Sequence, residues 1–168
     1  MARSESSKIE SRKNQGRHDS LEPSQLVLIV VGAHLRAELA DRPAAYLLQR
    51  EAVAWLNTRC GPETADDPHP LHALVCSDLW YLNNDSLRRR PTISIGGPTV
   101  NALSAYLADK VPSAYALDGK LLVQFDLEMH ELVACCWGID AERTADAVKA
   151  FSDRYLDDFM EAAVNPHY

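Results

Sequence analysis

The chain predicts an α/β fold: a three-layer sandwich with a mixed, mostly parallel sheet, Rossmann-like or flavodoxin-like, closed by a C-terminal meander and helix. Three observations carry that expectation. Leu26-Val-Leu-Ile-Val-Val-Gly32 is a continuous apolar run of the kind that fills a strand covered on both faces. Strand-like and helix-like segments then alternate. Finally, four of the seven glycines, Gly32, Gly96, Gly97 and Gly138, stand where an apolar run ends and a helix can begin.

Residues 1 to 23 are rich in Ser, Lys, Arg, Glu and Asn with few apolar anchors, so they bury too little surface to offset their ordering entropy and are expected to be disordered. Residues 24–168 are expected to form one α/β domain. After the first strand, Asp41 and Pro43 open a helix with Leu47, Leu48, Ala52, Trp55 and Leu56 at helical spacing, and Gly61-Pro62 stops it. A loop from Glu63 to Pro70 precedes a second strand, Leu71 to Cys76, which ends in Ser77-Asp78. The stretch from Leu79 to Arg90 reads either as a short helix starting at Asn84 or Asp85 or as an irregular loop displaying Trp80 and Tyr81.

Thr92 to Ile95 is the third strand. Pro98 at a first helical position predicts a helix to about Lys110, with Val100, Leu103 and Leu107 inward. Ser113 to Leu117, an Asp118-Gly119 turn, Leu121 to Leu127, a polar turn around His130 and Leu132 to Trp137 read as a meander. Asp140 caps a last helix from about Ala141 to Ala163, whose inward face is Ala145, Val148, Phe151, Tyr155 and Phe159. If Leu121–Leu127 runs antiparallel to its neighbours, the strand ends at Gly32, Ser77, Gly96 and Gly138 share one edge.

A formal charge of −7 argues against non-specific nucleic-acid binding, which depends on Lys and Arg displacing counterions. No apolar stretch approaches the ~20 residues that span a bilayer, so no membrane partner is expected. The polar start lacks a secretory apolar region, which favours a cytoplasmic setting in which Cys60, Cys76, Cys135 and Cys136 stay reduced. Cys60, His69, His72 and Cys76 match no usual zinc spacing, and no metal is expected. Neither the G-x-G-x-x-G nor the P-loop pattern is met, and no cofactor is expected.

Ligands of open α/β sheets bind outside the carboxyl ends of the strands. That rule places His34, Ser77, Asp78, Gly96, Gly97, Thr99, Asn101, Asp140 and Thr144 at the candidate site. Gly96, Gly97, Thr99, Asn101, Asp78 and Asp140 are the candidate ligand-binding residues: the glycines allow close approach, and free N–H groups after Pro98 favour an anion. The plain alternative is a tight strand-to-helix turn. Asp78 and Asp140 could form a paired-carboxylate site for a hard cation, or do general acid–base work with His34, provided they converge. A serine hydrolase lacks its elbow, because Ser94 lies inside a strand.

Gly96-Gly-Pro-Thr-Val-Asn101 with the following helix, and Trp137-Gly-Ile-Asp-Ala-Glu-Arg-Thr-Ala-Asp-Ala147, resemble the G-G-P-x-V-N and G-x-x-x-x-x-T-x-x-A pieces of some archaeal surface-layer protein domains. The resemblance covers under a quarter of the chain. It implies an α/β scaffold without catalysis, in which Gly96, Gly97, Pro98, Asn101 and Thr144 shape the loops and Asn101 bonds neighbouring backbone to hold the edge together.

No catalytic set is complete. The expectation is therefore a non-catalytic binding or scaffold module that recognises a small polar or anionic ligand, or a partner protein, at the glycine-lined edge. Trp80, Tyr81, Arg88, Arg89 and Arg90 form the candidate partner surface, since aromatic and Arg side chains dominate interface energetics. The alternative is a small enzyme acting on a phosphorylated or nucleotide-like substrate through Asp78 and His34.

Overall fold

The computed structural model of the chain describes residues 21–64, 69–117, 119–128 and 131–165. Most of the expected disordered tail, the polar turn around His130 and Asp118 of the Asp118-Gly119 turn lie outside them. Pro23–Gln25 form a single 3-10 turn that leads into the sheet.

Six strands follow, β1 (Leu26–Val31), β2 (His72–Ser77), β3 (Thr92–Ile95), β4 (Ser113–Leu117), β5 (Leu121–Phe125) and β6 (Val133–Gly138), in the spatial order β2-β1-β3-β6-β5-β4. β2, β1, β3 and β6 are parallel, whereas β5 runs antiparallel to both β6 and β4. The sheet is thus mixed and mostly parallel, with helices on both faces. The helices are α1 (Leu35–Cys60), α2 (Asp78–Leu82), α3 (Ala102–Leu107) and α4 (Ala141–Val164).

The alternation along β1 explains the three layers. Val27, Ile29 and Val31 pack into the cluster under α1 and α4, while Leu26, Leu28 and Val30 pack into the one under α2 and α3. Phe125, Phe151, Tyr155 and Phe159 fill the first cluster beneath α4, with ring centroids 5.8 to 6.2 Å apart, within the range of favourable edge and tilted contacts. The second face is partly polar: Ser94 on β3 bonds Ser104 of α3 at 2.9 Å, and Gln124 Nε2 donates to the carbonyls of Ala108 and Val111 past the end of α3. Among the described residues no helix is long and apolar enough to cross a membrane.

Three helix starts differ from expectation, and β5 and α3 end two and about three residues early, at Phe125 and Leu107. α1 begins at Leu35, six residues before Asp41, because His34 caps it: its Nδ1 accepts from the Arg36 N–H at 3.1 Å. Pro43 therefore lies inside the helix. α2 starts directly at Asp78, capped by Ser77 Oγ accepting from Trp80 N, so Tyr81 faces the core and Trp80 is exposed. α3 begins after Asn101 and not at Pro98, since Asn101 Oδ1 accepts from the N–H groups of Leu103 and Ser104. On α4, Ala147, Leu156 and Met160 join Val148, Phe151 and Phe159 in the core, while Ala145 is exposed and Tyr155 is half-buried.

Candidate functional site

The parallel pairing brings four strand ends to one level. Val31 is in register with both Ser77 and Ile95, and Ile95 with Cys136, so the loops after β1, β2, β3 and β6 share the carboxyl rim of the sheet. The chain leaves β1 for α1 on one face and β3 for α3 on the other. A crevice between β1 and β3 is the place where such sheets commonly bind ligands.

Here the protein fills that crevice itself. A Cβ on Gly32 would overlap the carbonyl oxygen of Val100 and stand 3.1 Å from the Asn101 Cα, so the loop after β3 lies directly on Gly32. Asn101 stitches the strands below it: its Nδ2 donates to Ile95 O at 2.8 Å, Val30 O at 3.2 Å and Ser94 Oγ at 3.1 Å. With its oxygen capping α3, all the hydrogen-bonding groups of this buried amide are engaged.

Asp78 is the second staple. Oδ1 accepts from Ala33 N at 2.8 Å and Leu79 N at 2.7 Å, and Oδ2 accepts from Ala102 N at 2.8 Å. One buried carboxylate thus joins the loop after β1, the start of α2 and the start of α3. Its negative charge suits three backbone N–H donors, two of them at helix N-termini.

The structure does not bring Asp140 to this group. β6 is three strands from β2, about 14 Å at the usual spacing, and Asp140 caps its own helix by accepting from Arg143 N at 2.8 Å. Thr144 Oγ1 accepts from Gly138 N at 3.1 Å and holds the turn after β6. His34 stays at its own helix start, exposed. Gly97 is the open point of the rim: a Cβ there would meet only the Trp137 ring, at 3.9 Å.

Asp41, expected to open the first helix, instead lies inside α1 on its buried face. Its side chain lies on the inward face of α1 against Gly96, which adopts φ +103°, and the residue is only 4 % exposed. Burial pushes its carboxyl up to about 6 from the usual 3.8. The signal was its spacing with Ala37, Ala44, Ala45 and Leu48, which share the buried face.

The candidate partner surface divides. Tyr81 is buried, and Arg90 reaches back to the carbonyl of Ser24 before β1, at the opposite edge from Trp80. Arg88 donates to Leu82 O and pairs with Asp85. His69, from the rejected zinc set, sits buried with Nε2 2.9 Å from Gly61 O. Two grooves lie away from the rim: one of about 490 Å³ between α1 and α4, beside Trp55 and Asp157, and one of about 470 Å³ near the end of α3, beside Lys110 and Glu131.

No protein-family model matches this chain, and no curated protein matches it. The reading of function therefore rests on the geometry of the rim.

Proposed function

We propose that this domain is a non-catalytic binding module that docks a partner protein on the carboxyl rim of its sheet. The observation that carries the reading is the contrast between the rim's polar and apolar groups. Asp78 and Asn101 are buried and fully engaged with backbone, whereas Leu79 and Trp80 after β2, Leu35 after β1 and Ile139 after β6 stand exposed, with Gly97 bare between them. A rim braced from within and apolar outside suits a flat protein surface better than a small anion.

The same contrast weighs against the small-enzyme alternative. Both oxygens of Asp78 hold backbone N–H donors and the Nδ1 of His34 caps α1, so both side chains already have structural roles in the loops that carry them. The bonds from Asn101 to the carbonyls of Val30 and Ile95, and from Gly138 N to Thr144 Oγ1, are of the kind that the scaffold role implied by the surface-layer resemblance would need. Three of the four cysteines are buried as free thiols, which supports a working place in a reducing compartment such as the cytoplasm.

The test pairs two measurements. A thermal-shift screen with nucleotides, sugar phosphates and divalent ions is expected to be flat, since any ligand favouring the native state raises the melting midpoint. A partner captured by the wild type is expected to be lost from a Trp80→Asp/Ile139→Asp variant that melts normally. A nucleotide or sugar phosphate whose stabilisation depends on Asp78 would overturn the reading in favour of an enzyme.

A further inference from the structure

Of the described Asp, Glu and His residues, three are buried: Asp41, His69 and Asp78. Two are already engaged. Asp78 accepts three backbone N–H bonds, and His69 meets Gly61 O. Asp41 is the exception: burial alone raises its carboxyl, and no hydrogen bond or charge among the described residues acts on it. Its oxygens are not sealed, because the fully buried side-chain atoms left without a partner are Gln124 Oε1 and Trp137 Nε1. The 4 % of the residue that meets solvent therefore includes its carboxylate. A carboxylate withdrawn from water and left unpaired is a cost to the fold. Groups of this kind gather where a ligand supplies the missing partner.

The opening lies on the carboxyl rim. Asp41 Oδ2 stands beside Gly96 at the end of β3, and Gly97 next to it is bare, the nearest atom to a side chain there being Trp137 Cε3 at 3.9 Å. α1 and α4 pack together on this face and begin near the rim, where Leu35 and Ile139 are exposed. A desolvated polar anchor ringed by apolar groups is how protein interfaces concentrate affinity.

The chemistry of the site selects its occupant. An anion would be repelled, and one carboxylate makes no metal site: no three His, Cys, Asp or Glu among the described residues gather to hold an ion. The formal charge of −7 favours the approach of a basic partner. The opening is narrow. An ammonium is a compact charge on a slender four-carbon stem, whereas a guanidinium is a broad planar fork that needs two carboxylate oxygens presented side by side.

We propose that Asp41 receives a lysine side chain of the docking partner, which enters past Gly97 between α1 and the loop after β3. The assignment rests on the rim reading and adds the partner's chemistry to it.

The probe is Nα-acetyl-lysine amide, titrated into the isotope-labelled full chain above pH 7, where Asp41 is ionised. Saturable NMR shifts are expected at the Asp41 carboxyl carbon and at the Gly96 and Gly97 amides, weakening as salt is added. They should be lost with the neutral Nα,Nε-diacetyl-lysine amide and in Asp41→Asn. Equal shifts with the neutral amide, shifts at Gly96 and Gly97 that persist in Asp41→Asn, or no shift at all would overturn the proposal. A captured partner separates this site from the rim as a whole. Loss from Trp80→Asp/Ile139→Asp with full retention by Asp41→Asn would overturn the lysine site and leave rim docking in place, whereas retention by both variants would overturn rim docking itself.

Discussion

The carboxylate of Asp41 occupies the space where a side chain on Gly96 would stand, so α1 lies directly against the loop after β3. A Cβ at Gly96 would overlap Asp41 Oδ2 and lie 3.1 Å from its Cγ, and φ of +103° is a conformation that side chains resist. Gly96→Ala is therefore expected to destabilise the fold by roughly 2–4 kcal/mol in urea denaturation, from backbone strain and overlap together. Repeating it in an Asp41→Ala background should recover about 1 kcal/mol, because the overlap goes while the strain stays. Equal costs in both backgrounds would show that the two residues do not meet.

Asp41 also predicts an unusual pH dependence. Its carboxyl is raised from 3.8 to about 6 by burial, so between those values the folded chain binds more protons than the unfolded one. Stability from this group is greatest below about 3.8, falls as pH rises through the window and is lowest above about 6. The shift corresponds to about 3 kcal/mol across the window. Glu38 and Asp157 are shifted the opposite way, and what they contribute is lost only as pH falls below the ordinary carboxylate range. Asp41→Asn is expected to flatten the profile between pH 4 and 6 and to raise stability at neutral pH. Parallel profiles for wild type and variant would contradict this.

Asp78 and Asn101 are expected to behave as structural staples. Asp78→Ala strands three backbone donors at Ala33, Leu79 and Ala102, and should cost about 2–4 kcal/mol. Asn101→Asp keeps the cap on α3 but turns an acceptor toward the carbonyls of Val30 and Ile95, and should cost at least as much. Amide exchange locates the effect. Protection should fall first at Ala33 and Ala102 in the Asp78 variant, and at Leu103 and Ser104 in an Asn101→Ala variant. Loss spread evenly over the sheet would mean that these side chains do not hold particular loops.

What was legible in the sequence was local. The run Leu26–Val31, the stop at Gly61 and the cap at Asp140 each depend on a few adjacent residues, and all stand as read. The common rim followed from one antiparallel strand in the meander, which the apolar pattern and the Gly119 turn implied. The role of Asp78 was not legible, because its donors at Ala33 and Ala102 are 45 and 24 residues away. The start of α1 misled for a different reason: Asp41 and Pro43 resemble an N-terminus, whereas the competing cap is a histidine. A charged residue on a core face, as Asp41 is, runs against the usual reading of helical periodicity.

The thiols offer a check on the sheet itself. Cys135 and Cys136 are adjacent, yet Cys135 faces α3, with Sγ 3.3 Å from Ser104 Oγ, while Cys136 enters the core beneath α1 and α4. Burial pushes Cys76 and Cys135 up to about 11 and also holds the Cys136 thiol well above its usual range. Reaction needs an accessible thiolate, so at pH 8 the native chain is expected to label once, at the exposed Cys60, and to label four times in denaturant. In Cys60→Ser no rapid phase should remain, and the slow labelling of the other three should follow opening of the fold. Fast native modification of Cys135 or Cys136 would mean that α3 or α4 does not cover β6, and the rim built on that strand would fall with it.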